Sequence, residues 1–186
     1  MAAAELFAAG NLSQAVTAAL DEVKRQPSDF AARWRLAEFL SLQGDLERAD
    51  KQLETLLVQF PKQAMAIAQF RNLLRGEQAR REIADEGRVP EFLTEPTPAI
   101  RAALAALVAL RAGDSAEAAR QAALAEESRT SLAGKADGAP FDDLRDLDDV
   151  LGGVLEAITG EGDCAWIPQE HIASIRFARP ARARDL

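Results

Sequence analysis

The sequence predicts a mainly α fold, a tetratricopeptide-like helical superhelix with a small C-terminal β element. Apolar residues make up 48% of the chain and are dominated by alanine, whereas aromatic residues make up 5% and tyrosine is absent. Alanine is the best helix former and tyrosine is typical of strands, so this composition favours closely packed helices over sheets. A repeat of 34 residues near the N-terminus then indicates the type of helical fold.

Seven pairs of residues keep the 34-residue offset of the repeat. We expect the glycines to turn the chain between two helices, and the alanines to let the second helix approach the first. We expect the prolines to end the second helix, because proline cannot continue the helical hydrogen bonds. The pairs are Gly10/Gly44, Ala15/Ala49, Pro27/Pro61, Leu6/Leu40, Leu12/Leu46, Ala19/Leu53 and Val23/Leu57.

Seven helices are predicted in order within residues 1–127. Gly87 and Pro90 end the fifth helix, and residues 95–98 form a stiff connector to the sixth. Gly113 is followed five residues later by Ala118, as in the two repeats, so the last two helices are interpreted as a degenerate third copy without the closing proline. The predicted helices span residues 2–9, 12–25, 29–43, 46–59, 63–86, 98–112 and 115–127.

The C-terminal part is predicted to differ from the repeats, which gives two domains, 1–127 and 128–186. A loop over 128–140 is followed by an Asp-rich helix that Gly160-Glu-Gly162 ends. The helix is predicted because its apolar residues follow helical spacing: Leu144, Leu147, Leu151, Leu155 and Ile158. Residues 164–167 and 172–177 are predicted as short strands. Two strands are marginal alone, so we expect an incomplete β element.

The bulk properties limit the partners and the cellular location. The formal net charge of −8 argues against nucleic acid as the main partner, because a phosphate backbone requires a basic face. The single cysteine, Cys164, excludes an internal disulfide and fits a reducing compartment. The N-terminus lacks the features of a signal peptide, and the longest apolar run, residues 102–110, is too short to span a membrane. We therefore expect a cytoplasmic protein that binds neither nucleic acid nor membrane.

The Asp-rich segment is the main candidate for chemistry. Its order lacks the alternating ligands and the glycine of a calcium loop, so we favour a structural role, in capping and in bracing the preceding loop. A metal-dependent enzyme and a partner contact remain as alternatives. The five aspartates are Asp142, Asp143, Asp146, Asp148 and Asp149.

Other catalytic arrangements have little support. His171 is the only histidine, which excludes zinc sites that need two histidines, and a Cys164–His171 pair has no supporting signature. The chain contains neither a phosphate-binding loop nor a nucleophile elbow. We therefore expect no enzymatic activity and no cofactor.

Two tryptophans and a group of arginines complete the candidate residues. Trp34 either packs between repeats or, together with Arg33, Arg35 and Glu38, contacts a partner on the surface that the first helix of each pair lines. We expect Trp166 to fill the junction between the strands and the helices. Four arginines are predicted to form an exposed basic tail: Arg176, Arg179, Arg182 and Arg184.

Several segments together resemble the ImpE family (also called TagJ), accessory proteins of bacterial type VI secretion. They are the turns at 10–15 and 44–49, Pro27-Ser-Asp29, the helix 33–40, the Asp-rich segment 141–149, Gly162, Trp166-Ile-Pro168 and Ile172. The Asp-rich segment followed by Trp-Ile-Pro168 is the most specific part. Cys164 or Ala165 stands where the family usually has an aromatic residue, and the family continues into a further β-rich segment, so the chain is expected to be shortened at its C-terminus.

The resemblance implies an adaptor of the contractile sheath without catalytic residues. It implies as partner the N-terminal helix of the small sheath subunit, and through it a link to the ATPase that recycles contracted sheath. A structural oligomerisation domain, with self-association, is the alternative.

Overall fold

The computed structural model describes residues 2–179, and its helices agree closely with the predicted ones. The α-helices are α1 (Ala3–Ala8), α2 (Leu12–Arg25), α3 (Phe30–Leu42), α4 (Leu46–Gln59), α5 (Ala64–Asp85), α6 (Pro98–Arg111) and α7 (Ser115–Ser128). A short 3-10 helix, Pro61–Gln63, precedes α5. The predicted fold class, mainly α with tetratricopeptide-like hairpins and a small β element, is confirmed.

The predicted glycine turns are present in all three helical hairpins. Gly10, Gly44 and Gly113 have φ values of 79°, 87° and 76°, the left-handed conformation that favours glycine. After each glycine, the next residue donates its backbone N–H to the carbonyl five residues earlier, at 2.9, 2.9 and 3.0 Å. The third hairpin therefore repeats the backbone geometry of the first two, as the Gly–Ala spacing predicts.

The described residues form two compact units. The first contains residues 2–78, 160–162 and 178–179, and the second contains 79–159 and 163–177. The sequence-based boundary between residues 127 and 128 lies inside the second unit, where Ala125 and Val154 share one hydrophobic cluster. As a division into separately folding domains, that boundary stays a prediction.

The core of the first unit is built from the buried faces of its helices. The small residues Ala15 and Ala49 are fully buried, which allows the close helix approach expected from the repeat. Larger side chains of the helices from α1 to α5 fill the rest of this core. Among them, the rings of Phe7 and Phe39 stack with their centroids 4.9 Å apart. Leu36, Leu40, Leu53, Leu56 and Ile67 are fully buried in this cluster.

The second unit contains four short strands. Strands β1 (Gly134–Ala136) and β2 (Ala139–Phe141) form one antiparallel hairpin, and β3 (Val154–Ile158) and β4 (Cys164–Pro168) form another. Glu91 forms a parallel bridge to Ala165 on the other edge of β4, with hydrogen bonds to Cys164 and Trp166. Trp166 is 1% exposed and packs in a cluster with Ile83, Ile100 and Val154.

The predicted Asp-rich helix is wrong. Residues 142–153 form bends, turns and irregular structure, and the last part of the predicted helix is strand β3. Asp146 and Asp148 accept hydrogen bonds from backbone N–H groups two and three residues ahead, which stabilises turns in competition with the helix. The adjacent Gly152 and Gly153 further disfavour a helix.

Two smaller predictions in the C-terminal part are corrected as well. The predicted loop 128–140 contains most of the β1–β2 hairpin, turned by Asp137-Gly138, a dipeptide typical of two-residue hairpin loops. Residues 172–177 do not form a strand. Both edges of β4 are already occupied, one by β3 and the other by Glu91. Arg176 and Arg179 are exposed, as predicted, whereas Arg182 and Arg184 lie outside the described residues.

Candidate functional site

Helix α3 of the first unit presents one face to solvent. Ala31 and Leu42 are exposed, and Arg35 and Glu38 are partly exposed; these residues are spaced by four, three and four. Such spacing places them along one face of a helix. We call these four residues the α3 stripe. The opposite face carries Leu36, Ala37, Phe39 and Leu40, which are buried.

Arg35 is held in the α3 stripe by helix α2. Its Nη1 lies 2.7 Å from Oε2 of Glu22, and the other carboxylate oxygen of Glu22 accepts the backbone N–H of Ala3 at 3.1 Å. Because the Ala3 N–H holds the Glu22 carboxylate in place, the ion pair with Glu22 gives the Arg35 guanidinium a defined position at the surface.

Trp34 lies beside the α3 stripe and packs inside the first unit. Its ring stacks on Phe30 at 5.4 Å and contacts Phe70 at 5.3 Å, and its Nε1–H donates to Glu38 Oε1 at 3.0 Å. These contacts place Trp34 in the packing of the first unit, and a contact of Trp34 with a partner stays a prediction. Trp34 also orients Glu38, the acidic residue of the stripe.

Arg33 points away from the α3 stripe, towards α4. Its Nη1 donates to Gln52 Oε1 at 2.7 Å and its Nη2 donates to the carbonyl of Pro27 at 3.0 Å. Burial lowers the pKa of Arg33. Of the four residues predicted to bind a partner, the structure thus places Arg35 and Glu38 on the stripe, Trp34 at its border and Arg33 outside it.

An open cavity of about 380 Å³ lies at the N-terminal end of the α3 stripe. Ala31 and Ala32 contribute apolar surface, and charged side chains of both signs and Gln26 contribute the rest. The sequence analysis missed the α2 residues of this cavity, and nothing in their pattern could have distinguished them from an ordinary solvated helix face. The cavity is lined by Glu22, Arg25, Gln26, Asp29, Ala31, Ala32 and Arg35.

In the second unit, Arg129 holds the Asp-rich segment. Its side chain is 10% exposed, and its Nε and Nη2 donate to Glu126 at 2.8 and 3.0 Å. Nη1 donates to Asp143 Oδ1 at 2.9 Å, and Nη2 also contacts the Asp143 carboxylate. The hydrogen bonds from Arg129, and one from the Leu132 N–H at 2.8 Å, hold the pKa of Asp143 well below its usual range. Arg145 lies 3.3 Å from Glu126.

Two other aspartates stabilise the turns of the segment. Asp146 Oδ1 accepts the Asp148 N–H at 2.8 Å, and Asp148 Oδ1 accepts the N–H groups of Val150 and Leu151 at 2.7 and 2.8 Å. Asp142 is exposed, and Asp149 lines a small cavity of about 20 Å³. Within residues 2–179, no group of three or more His, Cys, Asp or Glu side chains is placed to share a metal ion. The arrangement supports the bracing role that the sequence suggests.

The remaining candidate residues lie near the β3–β4 hairpin. Trp166 Nε1–H donates to Glu156 Oε1 at 3.2 Å, and Pro168 pairs with Val154 at the end of β4. Cys164 is buried in the hydrophobic cluster that also contains Trp166. The exposed His171 places its Nδ1 3.3 Å from the hydroxyl oxygen of Thr94.

No helix among residues 2–179 combines the length and apolar character needed to cross a membrane.

Comparison with known proteins identifies the relatives of the chain. The family model described as ImpE protein matches residues 138–186. The type VI secretion system accessory component TagJ of Pseudomonas aeruginosa is 33% identical over 189 aligned residues, which cover 100% of this chain and 66% of the relative. The crystal structure of protein VPA1032 from Vibrio parahaemolyticus has a TM-score of 0.83 and 28% identity, covering 90% of this chain and 63% of that one.

The chain therefore spans less than two thirds of the length of either relative. The match to the family model includes the Asp-rich segment, Trp166 and Pro168, the same features that carry the resemblance in the sequence. Together with the match to TagJ over the whole of this chain, these findings confirm that the chain belongs to the ImpE family.

Proposed function

We propose that this chain is a non-enzymatic adaptor of type VI secretion that binds the N-terminal helix of the small sheath subunit. Through this contact it would link the sheath to its recycling ATPase, in the cytoplasm. The observation that carries the proposal is the 33% identity over the whole chain to a protein named as an accessory component of this system.

The geometry of the first unit supports a binding role. Amphipathic helices commonly bind in grooves between other helices, where side chains at helical spacing fill pockets. The α3 stripe has such spacing and borders an open cavity of about 380 Å³. In the second unit, the carboxylates of Asp143, Asp146 and Asp148 accept hydrogen bonds from arginine or backbone groups, so their arrangement supports bracing of the fold and not catalysis.

The proposal is tested by titrating the chain with a labelled peptide that covers the N-terminal helix of the small sheath subunit. We expect saturable binding with a Kd of about 1 μM or lower, and no binding of a scrambled peptide of the same composition. The Pseudomonas aeruginosa relative is titrated in parallel. Binding to the relative but not to this chain would place the site in the length that the two do not share.

Sedimentation of the free chain tests the alternative of an oligomerisation domain. Self-association without affinity for the sheath peptide would favour that alternative, and absence of peptide binding to both proteins would refute the proposed partner.

A further inference from the structure

We propose that the outer edge of strand β3 binds residues 172–177 of a second copy of the chain as an added strand. The proposal concerns the second unit, so it goes beyond the adaptor function and does not depend on it. It starts from two features of that unit. One is a strand whose outer edge has no partner among the described residues, and the other is a strand-like segment that likewise pairs with none of them.

The outer edge of β3 carries unpaired backbone groups. Glu91 accepts the Trp166 N–H at 3.0 Å and donates to the Cys164 carbonyl at 2.9 Å, so these β4 groups point away from β3. In an antiparallel ladder, the opposite residues Glu156 and Ile158 then point their N–H and C=O groups away from β4. Within the described part of the chain, nothing forms a hydrogen bond with these four groups.

The segment 172–177 has the composition of a strand but no strand to pair with. Its residues Ile172, Ile175 and Phe177 are of types enriched in strands. Both edges of β4 are occupied, and the backbone of 173–177 forms no hydrogen bond with other described residues. Phe177 is 94% exposed and Ile175 is 49% exposed. An open edge strand is a template for pairing with another chain, and this segment supplies a strand for it.

The segment fits the edge in length and in side-chain pattern. Strand β3 has five residues, and the segment runs from 172 to 177. We assign the antiparallel orientation of the β3–β4 hairpin, because antiparallel ladders are the more stable ones. With Arg176 opposite Glu156, Phe177 lies opposite Leu155, which is 39% exposed. Cross-strand contacts of this kind stabilise a sheet, so the pairing covers two exposed apolar side chains at once.

The charges favour a second copy as the occupant. Arg176 and Arg179 are exposed and form no ion pair with another described residue, whereas the chain as a whole carries a net charge of −8. Glu161, in the turn after β3, likewise has no ion pair within the described ranges. Glu156 already accepts the Trp166 indole N–H, so the attraction comes from the net charge of the acidic copy. Reciprocal exchange of the two segments gives a closed two-fold dimer.

Sedimentation equilibrium of the chain tests the association. We expect a concentration-dependent dimer of the wild type. Phe177→Asp should raise its Kd at least about ten-fold, because it places an unpaired charge opposite Leu155. Leu147→Asp is the matched control, since Leu147 is 95% exposed, lies in the same unit and receives the same charge. It should leave the Kd unchanged.

Ile158→Pro tests the backbone contacts of the edge. The Ile158 N–H points away from β4, so proline removes a donor from the outer edge and no hydrogen bond from the β3–β4 ladder. Sheets tolerate proline at such edge positions. We therefore expect a protein that is folded by circular dichroism and that no longer forms the dimer.

Two cysteine variants identify the occupant. Directly opposite residues of neighbouring strands are close enough for a disulfide. Leu155→Cys and Phe177→Cys are therefore prepared as separate proteins and mixed under oxidising conditions. The native Cys164 is buried. We expect a disulfide-linked heterodimer in the mixture, in higher yield than the homodimers of either variant alone.

Three results would overturn the proposal. The first is a wild type that stays monomeric at its highest soluble concentration, and the second is a dimer that resists both Phe177→Asp and Ile158→Pro. The third is an internal disulfide in a monomer that carries both cysteine substitutions, because the segment would then cover β3 of its own chain. The sheath-peptide titration is a separate measurement, so the adaptor function stands or falls independently of these results.

Discussion

Replacing Arg129 by alanine should release the Asp-rich segment from α7. The Arg129 side chain is 10% exposed and donates hydrogen bonds to Glu126 and Asp143, whose side chains are 43% and 35% exposed. Hydrogen bonds to charged groups contribute about 1.5–3 kcal/mol when buried, and exposed ion pairs contribute about 0.2–1 kcal/mol. Since Arg129 lies between these cases, we expect Arg129→Ala to lower the free energy of unfolding by about 1–2 kcal/mol.

Two measurements test this predicted loss of stability. For a chain of this size, 1 kcal/mol corresponds to about 2–4 °C in Tm, so the midpoint of thermal unfolding should fall by about 2–8 °C. Hydrogen exchange should accelerate most at the backbone N–H of Leu132, because Asp143 accepts that hydrogen bond and loses its own anchor in the variant. Circular dichroism and exchange detected by mass spectrometry or NMR give the two values.

Arg120 provides the matched control. It lies on the same helix, α7, and also bonds a glutamate three residues earlier, but its side chain is 70% exposed. Arg120→Ala should change Tm less than Arg129→Ala and leave the exchange of Leu132 unchanged. If the two variants had equal effects, or if Leu132 kept its protection in Arg129→Ala, the reasoning that Arg129 anchors the segment would be wrong.

Two further predictions concern the pH dependence of stability and the steric space beside Gly162. Because Arg129 lowers the pKa of Asp143 in the folded state, the stabilisation is complete above the unfolded pKa of about 3.9 and is lost as the pH falls towards the lower folded value. Thermal melts from pH 7 to pH 2 should therefore show a smaller loss of Tm on acidification for Asp143→Asn than for the wild type, and equal slopes would contradict this. Gly162→Ala should destabilise the first unit, because Gly162 has a φ of 93° and an added Cβ would lie 2.8 Å from the Asn72 carbonyl oxygen. Gly160→Ala, where no atom lies within 4 Å of an added Cβ, is its control in urea unfolding, and similar midpoints for the two variants would refute the steric argument.

The errors of the sequence analysis have identifiable physical causes. Asp137-Gly138 is a recognised hairpin signal, so the β1–β2 hairpin could have been predicted from the residues alone. The Asp-rich segment was more difficult, because Leu144, Leu147 and Leu151 have helical spacing. Leu147 is nevertheless 95% exposed, which shows that no helix face buries it. Local hydrogen bonds of the aspartates compete with a helix in this segment.

The candidate site could be predicted only in part. Helical spacing and the repeat indicated which helix carries the exposed face, and Arg35 and Glu38 were identified from it. The role of Glu22 could not be predicted, because the contact with Arg35 joins residues 13 positions apart on two helices. The inward orientation of Arg33 likewise depends on Gln52 of α4.

The sequence by itself determined the helical hairpins of this protein. Their glycine turns, capping residues such as Asp45 and Asp114, and the prolines that close the first two hairpins act over a few residues, so their signals are local. Only the tertiary structure decided the partners of β4 and the anchor of the Asp-rich segment. The pairing of β4 with Glu91 and the ion pair between Arg129 and Asp143 join residues that are distant in the sequence. Such contacts produce no periodic pattern in the sequence from which they could be predicted.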